Sequence, residues 1–235
     1  MTAKDILEEI RPLGRDSYKK VLLNHGVKEP CFGVKIEELQ KIRKRVRVDY
    51  RLALELYDTG VYDAMYLAGL IADDARMTRG DLQHWVTKAG CGALVGSTVP
   101  WVAAGSPHGH GIALEWIDSP AELVAAAGWA TLASLVSIKD DAELDVAELK
   151  ALLERVRRTI HQSPDKVRYQ MNGFVIATGC HVSALTNTAL KCGEQIGPVT
   201  VDVGRTSSQV PFAPDAILKV RERGTIGRKR KSAKC

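Results

Sequence analysis

The chain has 235 residues, 45% of them hydrophobic and 26% charged, which is enough to bury one large core and excludes a disordered protein. Its 33 Lys and Arg against 28 Asp and Glu give a net charge of +5, and its 20 Gly and 9 Pro follow no period, so collagen-like and low-complexity chains are excluded too. Aromatic residues make up only 6%, while Ala and Leu are abundant, which predicts an all-α protein packed through small residues.

Residues 3–11 carry Ile6, Leu7 and Ile10 at helical spacing before Pro12 and Gly14 stop the helix. A second helix over 16–25 ends at Gly26. After the connector Glu29-Pro30-Cys31-Phe32-Gly33, residues 34–46 place Val34, Ile36, Leu39, Ile42 and Val46 along one face. Helices over 51–57 and 61–72 follow, the second turning Met65, Leu67, Leu70 and Ile71 inward. Thr78-Arg79-Gly80-Asp81 reads as the cap of a helix whose buried stripe is Leu82, Trp85 and Val86. Residues 94–104 are apolar nearly all round, 109–117 end at Asp118-Ser119-Pro120, and that proline begins 121–137. A long amphipathic helix over 145–160 precedes Ser163-Pro164-Asp165, which opens 166–178, and 182–196 completes the series.

About six helix pairs at intervals of roughly 30 to 45 residues predict an α-α superhelix of antiparallel hairpins, in which no unit buries its faces alone. After Gly197-Pro198 the period changes. Val199, Val201 and Val203 alternate with Thr200 and Asp202, and residues 204–208 supply turn chemistry, so a short β-hairpin or extended flap is expected over 199–211. A last helix over 214–223 leads out, giving one domain over 1–226 and a basic tail over 227–235.

The uncharged runs 89–114 and 123–138 are too interrupted or too short to read as membrane spans. Residues 1–11 carry five charges and no apolar signal segment, so a cytoplasmic location is expected. Five cysteines, Cys31, Cys91, Cys180, Cys192 and Cys235, show no Cys-x-x-Cys spacing and are expected as free thiols. The pair His108 and His110 lacks clustered partners, so neither a metal nor a cofactor is expected.

Charge is uneven. From 218 to 235, eight Lys or Arg face one acid, Glu222, a sum of +7, and the other 217 residues sum to −2. Lys41, Arg43, Lys44, Arg45 and Arg47 put five more basic residues within seven positions. Such runs are the electrostatic footprint of a polyanion binder, because phosphate contacts release condensed counterions. Solvated, solubilising surface is the competing reading.

Several strings together resemble the DNA alkylation repair proteins, the AlkD-like alkylpurine DNA glycosylases built from HEAT-like repeats. They are Cys31-Phe32-Gly33-Val34-Lys35 with Leu39-Gln40-Lys41-Ile42-Arg43-Lys44, Gly69-Leu70-Ile71-Ala72-Asp73, Trp116-Ile117-Asp118-Ser119, Ala127-Gly128-Trp129 and Val167 to Ile176, followed by Val201-Asp202-Val203-Gly204 and Gly227 to Lys231. The resemblance implies a curved stack of helical hairpins whose basic face grips duplex DNA, alkylated or structurally distorted, as a monomer. In active members it implies hydrolysis of the N-glycosidic bond of cationic N3- or N7-alkylpurines, with aromatic faces holding the cation and a carboxylate stabilising the oxocarbenium-like sugar.

Anchored on Thr87-Lys88, the active members' Trp-Trp-Asp-x-x-Asp segment falls on Gly90 to Val95, and no Asp or Glu occurs between Leu82 and Leu114. The second cradle tryptophan falls on Phe174. Glu115 and Asp118, at i and i+3 beside Trp116, are the candidate replacement acids, with a helix-end turn as the alternative. Trp116 and Phe174 are therefore the expected lesion cradle, although Trp85, Trp101, Trp116 and Trp129 also read as core fillers. The expected DNA contacts are Lys41, Arg43, Lys44, Arg45, Arg47, Lys166, Arg168, Asn172, Arg228, Lys229, Arg230 and Lys231, Asn172 serving otherwise as a packing amide. A non-catalytic α-solenoid scaffold for DNA structures, RNA or a protein is the alternative function.

Overall fold

A computed structural model describes residues 1–202 and 209–234. Its α-helices are α1 (Ala3–Ile10), α2 (Asp16–Asn24), α3 (Ile36–Val46), α4 (Tyr50–Asp58), α5 (Tyr62–Ile71), α6 (Arg79–Lys88), α7 (Val99–Gly105), α8 (Gly109–Trp116), α9 (Glu122–Ile138), α10 (Val146–Thr159), α11 (Asp165–His181), α12 (Thr186–Ile196) and α13 (Ala213–Glu222). Local chemistry starts several of them. Thr2 with Asp5 and Thr78 with Asp81 form reciprocal capping boxes on α1 and α6, and the Asp49 and Asp145 carboxylates cap α4 and α10.

The helices stack in two rows. Helices α5, α7, α9 and α11 lie side by side, with α4, α6, α8, α10 and α12 packed along them. The α9–α11 contact is the most extensive among the described residues; α9 is apolar nearly all round, as a helix covered on several sides must be, whereas α11 keeps one open, partly polar stripe. Gly128 permits the approach of α8 to α9, since a Cβ there would sit 2.6 Å from the Ile117 nitrogen.

The core joins these layers through aromatic pairs. Tyr57 and Trp85 stack at 4.0 Å, with the tyrosine hydroxyl donating to the Trp85 carbonyl at 2.8 Å. Trp129 lies 5.4 Å from Phe174, and Tyr66 meets Trp101 edge-on at 5.5 Å. All four tryptophans are buried, so the core-filler reading holds for each. The connector before α3 is fixed by Asp63 on α5, whose buried carboxylate accepts from the Phe32 and Val34 amides at 2.6 and 2.7 Å.

The helix expected over 94–104 is divided. A π-helical turn over Leu94–Thr98 precedes α7, and it lies so close to α5 that a Cβ on Gly69 would fall 2.5 Å from Thr98 Cγ2.

The hairpin expected over 199–211 is corrected: among the described residues no strand occurs, and residues 203–208 of that segment lie outside them. Its flanks bond instead to side chains of α11. The Arg168 guanidinium donates to the Thr200 carbonyl at 2.7 Å, the Asp202 amide to Asp165 Oδ2 at 3.0 Å, and the Asn172 amide to the Pro211 carbonyl at 2.9 Å. Backbone groups satisfied by side chains leave no ladder for a partner strand.

The basic tail over 227–235 lies, as far as residue 234, along one edge of the stack. The Gly227 amide bonds the Cys180 carbonyl and the Arg230 amide the Ser137 carbonyl, both at 2.8 Å. Lys229 Nζ reaches the Val136 carbonyl at 2.9 Å, and Lys234 Nζ reaches the Ala72 carbonyl at 2.7 Å. These carbonyls close α11, α9 and α5, whose last oxygens have no partner within the helix and carry the negative end of the dipole. A basic, extended strap therefore caps successive helices. Among the described residues, no helix is long and apolar enough to cross a membrane.

Candidate nucleic-acid interface

The 3.6-residue period divides the first basic run. On α3, Lys41 pairs with Glu38 at 2.9 Å and Arg45 with Glu9 at 2.5 Å, so both are engaged within the protein. Arg43, Lys44 and Arg47, at i, i+1 and i+4, open instead onto a groove of about 610 Å³. Arg47 ends α3 with φ +64°, a conformation that L side chains rarely adopt.

The far wall of that groove holds Asp73 and Asp74, together with Ser232 and Lys234 from the strap. Lys234 Nζ lies 2.7 Å from Asp74 Oδ1. Burial pushes the Asp74 carboxyl up to about 6, against the downward pull of the Lys234 charge. The two basic runs, at opposite ends of the sequence, thus meet in one groove.

Further along the strap, Arg228 to Lys231 border a second groove of about 810 Å³ with Gly173, Ile176, Ala177 and His181 of α11. Lys229 is withdrawn by Asp141 at 2.8 Å, whereas Arg228, Arg230 and Lys231 are exposed and have no acidic side chain within 4 Å among the described residues. His181 Nδ1 donates to the Arg228 carbonyl at 2.8 Å. Burial, reinforced by the charges of Lys229 and Arg230, holds this imidazole below its usual pKa, so it is neutral at pH 7.

A third cavity, of about 340 Å³, lies at the other end of α11 and takes in Lys166, Tyr169 and Gln170 with Gly92, Ala93 and Val95. Lys166, Tyr169, Gln170, Gly173, Ile176 and Ala177 follow helical spacing, so one open stripe of α11 runs from this cavity to the second groove.

Several expected site residues fall elsewhere. Phe174 is fully buried against Trp129, and Trp116 is 2% exposed with its indole nitrogen donating to Gln83 at 2.9 Å. The lesion cradle expected of them is thus absent, because both rings are held in the core. Glu115 and Asp118 do not meet: one pairs with Arg79 at 2.6 Å and the other with Arg155 at 2.7 Å. Asn172 is 2% exposed, and Arg168 bonds the Ser163 and Thr200 carbonyls, so both leave the DNA-facing set.

The residues that sequence reasoning passed over are Lys234, Ser232, His181, Tyr169 and Gln170. The i, i+3, i+4, i+7 stripe of α11 could have identified the last two; nothing local links Lys234 to Asp74. The segment Gly90 to Val95 does border the third cavity, but it brings no carboxylate there. The acids that line it are Asp165 and Asp202. Among the described residues, no cluster of three His, Cys, Asp or Glu could hold a metal.

Paired helices in two rows with cationic grooves along one edge define a HEAT-like α-solenoid. The model of the DNA alkylation repair enzyme family matches residues 6–195, and the chain belongs to that family. A solved structure from a new family of proteins related to the HEAT-like repeat DNA glycosylases, with affinity for branched DNA structures, is similar at TM-score 0.92 and 33% identity, covering 100% of both chains. The Listeria innocua protein Lin0241 is 27% identical over 220 residues, 92% of this chain and 95% of its own. The Listeria monocytogenes protein Lmo0209 is 26% identical over 220 residues, again 92% and 95% of the two chains.

Proposed function

We propose that the protein binds branched DNA along the edge of the stack where α3, the strap and the open stripe of α11 present their cations. The observation that carries this reading is the meeting of Arg43, Lys44 and Arg47 with the strap in one groove. Two separate basic runs aligned on one edge form an extended phosphate track rather than a scattered solubilising surface. The affinity of the similar solved protein for branched DNA supports the choice of substrate.

The residues expected to carry base hydrolysis do not assemble a site, which supports recognition without hydrolysis. Cleavage of a cationic alkylpurine needs an aromatic face and a carboxylate at the sugar. Phe174 and Trp116 are buried, Glu115 and Asp118 are paired to separate arginines, and no acid occurs between Leu82 and Leu114.

The test is fluorescence anisotropy with a four-way junction and a linear duplex of equal length, from about 50 to about 200 mM salt. The expected result is tighter junction binding that falls steeply with salt; indifference to both DNAs at the lowest salt would reject the reading. Methylpurine release from alkylated DNA by the same preparation, with protein in excess, is expected at the buffer background.

A further inference from the structure

Resting on that reading, we infer that the cavity at the amino-terminal end of α11 receives an unstacked nucleobase from the branch point of the DNA. Tyr169 carries the argument. Among 13 aromatic side chains it alone is exposed, at 44%, and it lines a cavity rather than an open surface. An aromatic ring held half in water gives up burial that the other rings of the molecule use wholly or in part, and its free face suits a planar π-system.

Its neighbours add the remaining functions of a nucleotide site. The Gln170 amide has no hydrogen-bond partner among the described residues and offers a paired donor and acceptor to a base edge. Among the described residues Lys166 pairs with no carboxylate within 4 Å, which leaves the ammonium available to a phosphate, and it stands beside Gly92, where a Cβ would lie 3.5 Å from its Cδ. Leu22, Val27 and Val95 form an apolar wall, and the volume of about 340 Å³ is in the range of small-molecule sites.

The two carboxylates decide which part of the nucleotide enters. Asp165, 3.7 Å from the Arg168 guanidinium and bonded to the Asp202 amide, and Asp202 line the cavity with oxygens that suit the N–H edge of a base rather than a phosphate, so the backbone stays at Lys166 and the base goes in. The stripe of α11 connects this cavity to the groove bordered by Arg228, Arg230 and Lys231, so a duplex arm held on the strap leads toward it. Continuous duplex keeps its bases stacked, whereas a branch point presents bases whose unstacking cost has largely been met. The cavity would therefore favour branched over linear DNA.

The experiment is a double-mutant cycle between protein and DNA. Tyr169→Ala, Tyr169→Phe and the unaltered protein are titrated against a four-way junction and against the same junction with one crossover nucleotide made abasic, each of the four positions in turn. Tyr169→Ala should weaken junction binding about tenfold, in line with base–aromatic stacking, and leave linear duplex binding within about twofold. Tyr169→Phe should keep the affinity. At one crossover position the abasic change should weaken the unaltered protein equally and add nothing to Tyr169→Ala. Effects that multiply at all four positions, or a Tyr169→Ala protein that binds the intact junction normally, would overturn the inference while junction binding itself stands. Absence of junction binding by the unaltered protein would instead remove the proposed function and this site with it.

Discussion

The two basic runs of this protein look alike in sequence and are sorted by different geometry. On α3 the helical period separates them: Lys41 and Arg45 turn to Glu38 and Glu9, while Arg43, Lys44 and Arg47 face the groove. In the strap the chain is extended, and Lys229 and Lys234 fold inward onto helix carbonyls and onto Asp141 and Asp74, while Arg228, Arg230 and Lys231 point away. In each run some cations hold the fold and others remain for a partner. Charge density alone therefore overstates the phosphate contacts a basic run can make.

Removing residues 228–235 should have the largest effect. It takes away three exposed cations and the caps on the helix ends, and junction affinity should fall on the order of a hundredfold with the salt slope smaller by about 3. Unaltered affinity would mean that the strap is basic only to serve the helix termini, and the comparison with α3 would break.

Replacing Arg43, Lys44 and Arg47 together by Ala should cost about tenfold in affinity and reduce the slope by about 2 to 3. Arg47→Gly sharpens the same point through opposite signs. Its φ of +64° is free for glycine and costs an L side chain about 1 kcal/mol or more, so thermal stability should rise while DNA affinity drops severalfold.

The anchor of the strap should respond to pH. Asp74 is raised to about 6 in the fold from the 3.8 of an unperturbed carboxylate, chiefly by burial. The folded state therefore favours the protonated form, and ionisation of this group lowers stability as pH rises from about 4 to about 6. The ion pair with Lys234 exists only above that window. Amide protection over residues 230–234, measured relative to intrinsic base-catalysed exchange at each pH, should be lower at pH 5 than at pH 7, and Asp74→Asn should erase the difference in protection. The smallest effect is expected from Arg45→Ala, whose pair with Glu9 is exposed: junction affinity and melting temperature should stay within error.

Much of the fold was legible because its helices carry their own periodicity and punctuation. Thr78 with Asp81 announced α6, and the buried stripe of α10 stands where the spacing put it, whereas on α3 only Leu39 and Ile42 are buried and Ile36 is exposed. The π-turn before α7 was not legible, since it answers to the approach of α5 at Gly69 rather than to its own apolar residues. The alternating valines near 200 misled for a related reason: Arg168, Asn172 and Asp165, more than twenty residues earlier, supply the partners that a strand would have needed.

The candidate site was legible only in part. Basic runs reveal that cations exist, but their sorting between Asp74, Asp141 and solvent depends on the path of the strap. Tyr169 stood in view beside Arg168 and Asn172. Its significance comes from being exposed in a chain whose other rings are buried or partly buried, which no spacing predicts.

A stack of repeats is ordinarily open-ended, each unit touching only its neighbours, so that its terminal members fray and unravel by steps. Here the strap over residues 227–234 returns to the end of α5. That return ties the ends of α11, α9 and α5 to one another, so that parting any two of them must also release the cross-tie. Unravelling by single repeats thus gives way to concerted melting, and the pitch of the superhelix is fixed before any nucleic acid arrives.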